Sequence, residues 1–290
     1  MKVKTNLLKD VKSYYLEELT SVYGEAEALS IMNLLIRHFF GLSRVDQALQ
    51  KDFRLTETEL LKIHFAVKEL KKEKPIQYIT GETEFYGLKI KVNPSVLIPR
   101  PETEELVDLI VKNNKGCRVE RILDVGTGSG CIALALKKQF PKAEVCGIDV
   151  SRGALETAAE NSKLNGLEVT FRKMDILDKE RRVELEGFDL IVSNPPYVTQ
   201  SEKAILKKNV VDYEPHLALF VEDNDPLLFF YAVADFAKGK LLPGGQLWFE
   251  INEKFGNKVA GILKHHGFRQ VKIIQDIFGK ERFITALHPS

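Results

Sequence analysis

The sequence has little cysteine, no excess of either charge and no long apolar run. Its three cysteines, Cys117, Cys131 and Cys146, form no CxxC pair and are odd in number. That argues against a disulfide framework or a thiolate zinc site and fits a reducing, cytoplasmic setting. The six histidines make neither an HxxxH nor an HExxH pattern, so no metal is expected in the chemistry. No apolar stretch nears the roughly 18 residues of a membrane-spanning helix. The opening MKVKTNLLKD lacks the apolar centre of a secretory signal. Lys and Arg total 42 against 41 Asp and Glu, and residues 1–90 hold 14 basic and 13 acidic side chains, leaving 28 of each beyond. Neither part attracts phosphate backbones or anionic membranes in bulk, so neither stable nucleic-acid binding nor a membrane partner is expected.

What remains is an ordinary globular composition, 44% apolar and 29% charged over 290 residues. The length suits about two domains, or one large domain with an extension. Residues 1–74 carry apolar positions at helical spacing: Leu7, Leu8, Val11, Tyr15 and Leu19, then Ala28, Ile31, Leu35 and Phe39, then Leu60, Ile63, Val67 and Leu70. Thr56 with Glu59 reads as a capping box for the last of these. A small helical bundle follows, either a folding extension or a substrate-docking cap. Residues 84–92 (EFYGLKIKV) alternate around Gly87 as a β-hairpin would, and Pro94, Pro99 and Pro101 bracket an extended linker. The predicted boundaries are thus a helical domain over 1–74, hairpin and linker over 75–102, and a larger domain over 103–290.

That larger domain alternates. Strands are predicted at 121–125, 144–149, 168–174, 188–193, 246–251, 271–275 and 283–287, with helices at 131–140, 153–164, 227–238 and 254–265. Strands separated by helices imply right-handed crossovers, a mostly parallel seven-stranded sheet and helices on both faces, an α/β fold.

Two segments carry the chemistry. Asp124-Val125-Gly126-Thr127-Gly128-Ser129-Gly130 joins the first of these strands to a helix, and Asp149 ends the next strand. Glycines let the backbone turn sharply and let a ligand approach, and an acidic strand end accepts hydrogen bonds from ribose hydroxyls. The GxGxG spacing is tighter than the GxGxxG of dinucleotide folds, which suits a ligand without a diphosphate. Asp124 is placed to meet an ammonium group, directly or through water, and Asp175 an adenine amino group. A bare strand–helix turn and an exposed strand-end carboxylate are the plainer readings. The second segment, Ser193-Asn194-Pro195-Pro196-Tyr197, follows the fourth strand. Two prolines fix φ and leave carbonyls unopposed by N–H donors, and Asn194 adds an amide oxygen. Converging acceptors suit a target –NH2, and Tyr197 offers a flat face to a planar group. The plainer reading is a rigid turn.

Together these residues resemble class I S-adenosylmethionine-dependent methyltransferases acting on planar amino or amide groups. The resemblance narrows over residues 75–290. Pro75-Ile76-Gln77-Tyr78-Ile79-Thr80-Gly81, Glu84-Phe85-Tyr86-Gly87, Leu97-Ile98-Pro99-Arg100-Pro101-Glu102-Thr103-Glu104, Glu214-Pro215, Ala218-Leu219 and the GKERFI run at 279–284 are similar to the PrmC/HemK family. The resemblance implies a Rossmann-like class I methyltransferase sheet. It also implies transfer from S-adenosyl-L-methionine to the side-chain amide nitrogen of the glutamine in the Gly-Gly-Gln motif of peptide chain release factors, with those factors as protein partners. Cofactor binding then falls to Gly126, Thr127, Gly128, Ser129, Gly130, Asp149, Asp175, Ile176 and Asn194. Asn194, Pro195, Pro196 and Tyr197 hold the glutamine, with Asn194, Pro195 and Tyr197 as the catalytic group. Thr103 and Glu104 sit where the family's linker closes over the methionine end of the cofactor. Glu250-Ile251-Asn252 departs from the family's Glu-Ile-Gly, which bears on local packing. The rivals are an amino-group methyltransferase for nucleic-acid adenine or a ribosomal component, and a non-catalytic binder of an adenosine ligand.

Overall fold

The computed structural model describes residues 5–50, 52–180, 185 and 187–289, so the first four residues of the amino-terminal stretch lie outside it. The chain divides into two compact units: one runs up to Gly81 and takes in Lys208–Tyr213, and the other holds 82–207 and everything from Glu214.

In the first unit, helices α1 (Leu8–Tyr23), α2 (Glu25–Phe40) and α4 (Glu57–Leu70) follow the apolar periodicity, and two short helices that it does not announce, α3 (Arg44–Leu49) and α5 (Ile76–Thr80), the latter in the stretch assigned to the linker, join them. Val11, Tyr15, Leu19, Met32, Leu35, Ile36, Ile63 and Val67 form its buried core. The Thr56–Glu59 capping box is present, with Glu59 N donating to Thr56 Oγ and Thr56 N to Glu59 Oε2.

The second unit opens with the hairpin of β1 (Glu82–Phe85) and β2 (Leu88–Lys91), turned through Tyr86 and Gly87 at φ 49° and 67°. Pro101 then starts α6 (Pro101–Asn113), because a proline at the first helical position loses no intrahelical bond. The main elements are β3 (Arg121–Val125), α7 (Cys131–Gln139), β4 (Glu144–Asp149), α8 (Arg152–Asn165), β5 (Thr170–Lys173), β6 (Phe188–Ser193), a short pair β7 (Val198–Thr199) and β8 (Phe220–Val221), α11 (Leu228–Lys240), β9 (Leu241–Glu250), α12 (Gly256–His265), β10 (Arg269–Gln275) and β11 (Glu281–Leu287). Short helices α9 (Lys208–Tyr213) and α10 (His216–Leu219) fall between β7 and β8. Seven strands pair in the order β10-β11-β9-β6-β3-β4-β5. All neighbours are parallel except β11, which runs antiparallel to β9 and β10. The sheet is therefore the predicted seven-stranded, mostly parallel one. The chain winds outward from β3 through β4 to β5, then returns to add β6 on the other side. That reversal opens a crevice at the carboxyl ends of β3 and β6, the usual ligand position of such sheets.

Candidate active site

A cleft of about 310 Å³ occupies this crevice. Its wall takes in Gly126, Thr127, Gly128 and Ser129 from the turn after β3, Asp149 from β4, Asp175 and Ile176 beyond β5, and Asn194, Pro195 and Pro196 beyond β6. Thr103 from the first turn of α6 also lines it. Gly126 and Gly128 have φ of +74° and +55°, and a Cβ built on Gly126 would meet nothing within 4 Å, so the space over the turn is open to a ligand. Gly130 has a different task. It lies outside the cleft wall as the N-cap of α7, and a Cβ there would come within 3.1 Å of Ala158 and 3.2 Å of Phe171. Cys131 faces the cleft, but burial pushes its thiol up to about 12, which makes it no nucleophile.

The carboxylates differ sharply. Asp149 accepts from Gly128 N at 2.9 Å and from Ser151 N at 2.8 Å, which leaves lone pairs on both oxygens for ribose hydroxyls. Burial raises its pKa, and these backbone donors oppose the rise. Asp175 accepts from Leu177 N at 2.8 Å in a local turn. Asp124 departs from expectation. It is fully buried beneath the turn, where Oδ2 accepts from Thr127 Oγ at 2.6 Å and from Ala133 N at 3.3 Å, and Oδ1 has no hydrogen-bond partner among the described residues. Its carboxyl is pushed up to about 7, chiefly by burial. It braces the glycine turn from behind and is not part of the cleft wall.

On the other side, Ser193 Oγ donates to Val125 O at 2.8 Å and ties the end of β6 to the end of β3. Asn194 Nδ2 donates to Thr103 Oγ at 3.2 Å, and Thr103 Oγ donates to Glu250 Oε2 at 2.7 Å. Tyr197 lies beside the cleft wall, with its ring packed against the main core and its hydroxyl donating to Glu250 Oε1 at 3.0 Å. Burial and the neighbouring Glu250 hold its phenol well above the usual 10, so it is a neutral donor.

Several organising residues escape a reading of the sequence. Asn161 of α8 is completely buried. It exchanges hydrogen bonds with the backbone of Lys91 and donates to Ser129 O at 2.9 Å, so one side chain joins the hairpin to the glycine turn. Glu214, also buried, accepts from Ile98 N at 3.1 Å and pairs with Arg100, which clamps the linker against the cleft. Glu104 turns away to the hairpin, where it accepts from Tyr86 N, and only Thr103 of that pair reaches the cleft. The family-like runs at residues 100–104, Glu214-Pro215 and Glu250-Ile251 mark these segments but not their contacts. Asn161 carries no signal, because its partners lie 32 to 70 positions away.

An open glycine turn, an acidic strand end and an Asn-Pro-Pro segment around one crevice of this sheet define a class I methyltransferase. Residues 102–217 match the family described as Methyltransferase small domain, and residues 13–81 the PrmC N-terminal domain. The chain is 45% identical over 281 residues to the release factor glutamine methyltransferase of Flavobacterium psychrophilum, covering 96% of this chain and 98% of that one. Identity to the protein of the same name from Bacteroides thetaiotaomicron is 42% over 276 residues, 95% of this chain and 98% of that one. A methyltransferase of known structure from Pyrococcus furiosus shares the fold, with a TM-score of 0.53 over 81% of this chain and 100% of its own at 22% identity. The chain belongs to the release factor glutamine methyltransferase family.

Proposed function

We propose that this chain transfers a methyl group from S-adenosyl-L-methionine to the side-chain amide nitrogen of the glutamine in the Gly-Gly-Gln motif of peptide chain release factors. The observation that carries it is the single cleft shared by the 126–129 turn, Asp149 and the Asn194-Pro195-Pro196 segment, in a chain of this family. No helix among the described residues is long and apolar enough to cross a membrane, and we place the enzyme in the cytoplasm.

The cleft fits the cofactor. Open space over Gly126 admits its amino-acid end, Asp149 has acceptors to spare for a ribose, and Ile176 with Asp175 offers an apolar and a polar contact for an adenine. When bound, S-adenosyl-L-methionine supplies an electrophilic methyl group on a sulfonium centre. The protein must prepare the other reactant. An amide nitrogen is a poor nucleophile because its lone pair is delocalised. The Asn194 amide oxygen and a carbonyl of the proline pair, acting as acceptors, draw charge onto that nitrogen and orient it. Orientation and preorganised dipoles then supply most of the rate. No strong base is needed beforehand, since the nitrogen becomes acidic only as it is alkylated. Tyr197 anchors the segment through Glu250. The helical unit docks the release factor.

The test is to incubate the enzyme with cofactor and a release factor and to map the modified residue by mass spectrometry. We expect one added methyl on the Gly-Gly-Gln glutamine, nearly abolished in Asn194→Ala with cofactor affinity largely kept. An unlabelled release factor beside labelled DNA, RNA or ribosomal protein would overturn the assignment.

A further inference from the structure

We infer that Thr103 and Glu250 are positioning residues for methyl transfer: a two-step hydrogen-bond relay from Glu250 decides which end of the Asn194 carboxamide faces the cleft. The inference rests on Asn194 holding the target amide, as proposed above.

A carboxamide has two ends of nearly equal size, so packing alone cannot choose between oxygen and nitrogen. Hydrogen-bond polarity can. Glu250 ends β9 and is 2% exposed. Its two oxygens each accept from a different hydroxyl, Thr103 Oγ at 2.7 Å and Tyr197 at 3.0 Å. Burial raises the pKa of this carboxyl, and the two hydroxyl donors and the charge of Arg282 oppose the rise; with a hydroxyl hydrogen on each oxygen it acts toward both as an acceptor. Thr103 therefore spends its single hydrogen on Glu250. It can offer Asn194 nothing but lone pairs, so the end of Asn194 at 3.2 Å must be the NH2. The amide oxygen is then the end left for a substrate. Were Asn194 reversed, its NH2 would meet the target's NH2, donor against donor. The same carboxylate fixes Tyr197 three residues later, so one buried charge sets both ends of the Asn-Pro-Pro-Tyr segment. Three separate segments (the start of α6, the end of β9 and the turn after β6) converge on this arrangement.

Thr103→Val removes the hydroxyl and keeps the shape, while Thr103→Ser keeps the hydroxyl. With release factor as substrate, we expect Thr103→Val to lower kcat about 10- to 100-fold, the scale of a misaligned reactant. The KM for release factor and the calorimetric Kd for S-adenosylhomocysteine should stay within about threefold, the signature of an interaction used in the transition state. Thr103→Ser should recover most of the lost rate. A Thr103→Val enzyme within about twofold of wild-type kcat, or a Thr103→Ser enzyme as slow as Thr103→Val, would overturn the relay. A second readout needs no turnover. The side-chain NH2 of Asn194, assigned by its disappearance in Asn194→Ala, should exchange its protons slowly in wild type and Thr103→Ser and fast in Thr103→Val. If wild type leaves the release factor unlabelled, the proposed function falls. The exchange measurement then decides the relay alone, and equal rates in wild type and Thr103→Val would refute it.

Discussion

Replacing Asp124 by asparagine should make the protein more stable at neutral pH, although it removes a carboxylate that braces the cofactor turn. The folded carboxyl is pushed up to about 7 from an ordinary 3.8. Burial is the main cause, the charge of Asp149 adds to it, and the bonds from Thr127 and Ala133 oppose it. A folded pKa above the unfolded one means that the folded state binds the proton more tightly. The stabilisation is complete below about pH 4 and is lost as pH rises to about 7, beyond which the fold must hold a buried charge with one unpartnered oxygen. At about 1.4 kcal/mol per pH unit across this window, the loss is on the order of 4 kcal/mol. Asparagine keeps the acceptor for Thr127 and Ala133 and cannot ionise, so Asp124→Asn should escape that loss. The assay is urea unfolding of ligand-free wild type and variant from pH 4.5 to 8.5, taking the difference so that other titrations cancel. The two should differ by about 1 kcal/mol at the acid end, separate steadily up to about pH 7 and run parallel above it. A difference that does not vary with pH would refute the burial argument, and a variant less stable at pH 8 would reverse it.

Other perturbations probe the rest of the site. Asp149→Ala should weaken S-adenosyl-L-methionine binding by about 1.5–3 kcal/mol, the value of hydrogen bonds to a charged group, and unchanged calorimetric affinity would contradict its ribose role. Gly147→Ala would place a Cβ 2.7 Å from Thr127 Oγ and 2.9 Å from the Phe171 ring, so it should cost about 1–3 kcal/mol of stability through overpacking and loosen cofactor binding, read by thermal melts with and without ligand. Val45 and Leu49 on α3 are 66% and 76% exposed. Val45→Asp with Leu49→Asp should raise the KM for release factor and spare cofactor affinity, and an unaltered KM would remove α3 from the docking surface.

Much of the fold was legible because its signals are local. All seven sheet strands overlap the segments predicted for them. The central ones, such as β3 and β6, are apolar runs because a parallel sheet covered on both faces buries them, whereas β5 and β10 at the two edges are largely exposed. The errors lie at the ends. β9 starts at Leu241, not at 246, because Pro243, Gly244 and Gly245 read as a loop. They belong instead to an irregular stretch where the pairing with β6 shifts register. Pro101 read as part of an extended linker yet opens α6, since proline both ends extended segments and begins helices. Helix α9 returns to the amino-terminal unit, with Tyr213 donating to Lys72 O at 3.0 Å. No periodicity announces a pairing across 141 positions.

The site divides along the same line. Glycines at left-handed backbone positions, an acidic strand end and paired prolines act through their own backbone and immediate neighbours, so residue type and spacing expose them. What gives those residues direction acts at a distance. Thr103 and Asn194 are 91 positions apart, and Thr103 and Glu250 are 147 apart. Apart from the family-like Glu250-Ile251 pair, nothing in the run Trp248-Phe249-Glu250-Ile251 marks Glu250 as other than the polar end of a buried strand. Only the folded chain brings its carboxylate between two hydroxyls. The departure at Asn252 follows from this. Asn252 lies just past β9, where its Oδ1 accepts from Lys254 N at 3.0 Å. The backbone amide there is held by a local turn, and the Glu250 carboxylate two residues earlier keeps both of its hydroxyl partners. A side chain at 252 thus changes the turn and leaves the relay to Asn194 intact.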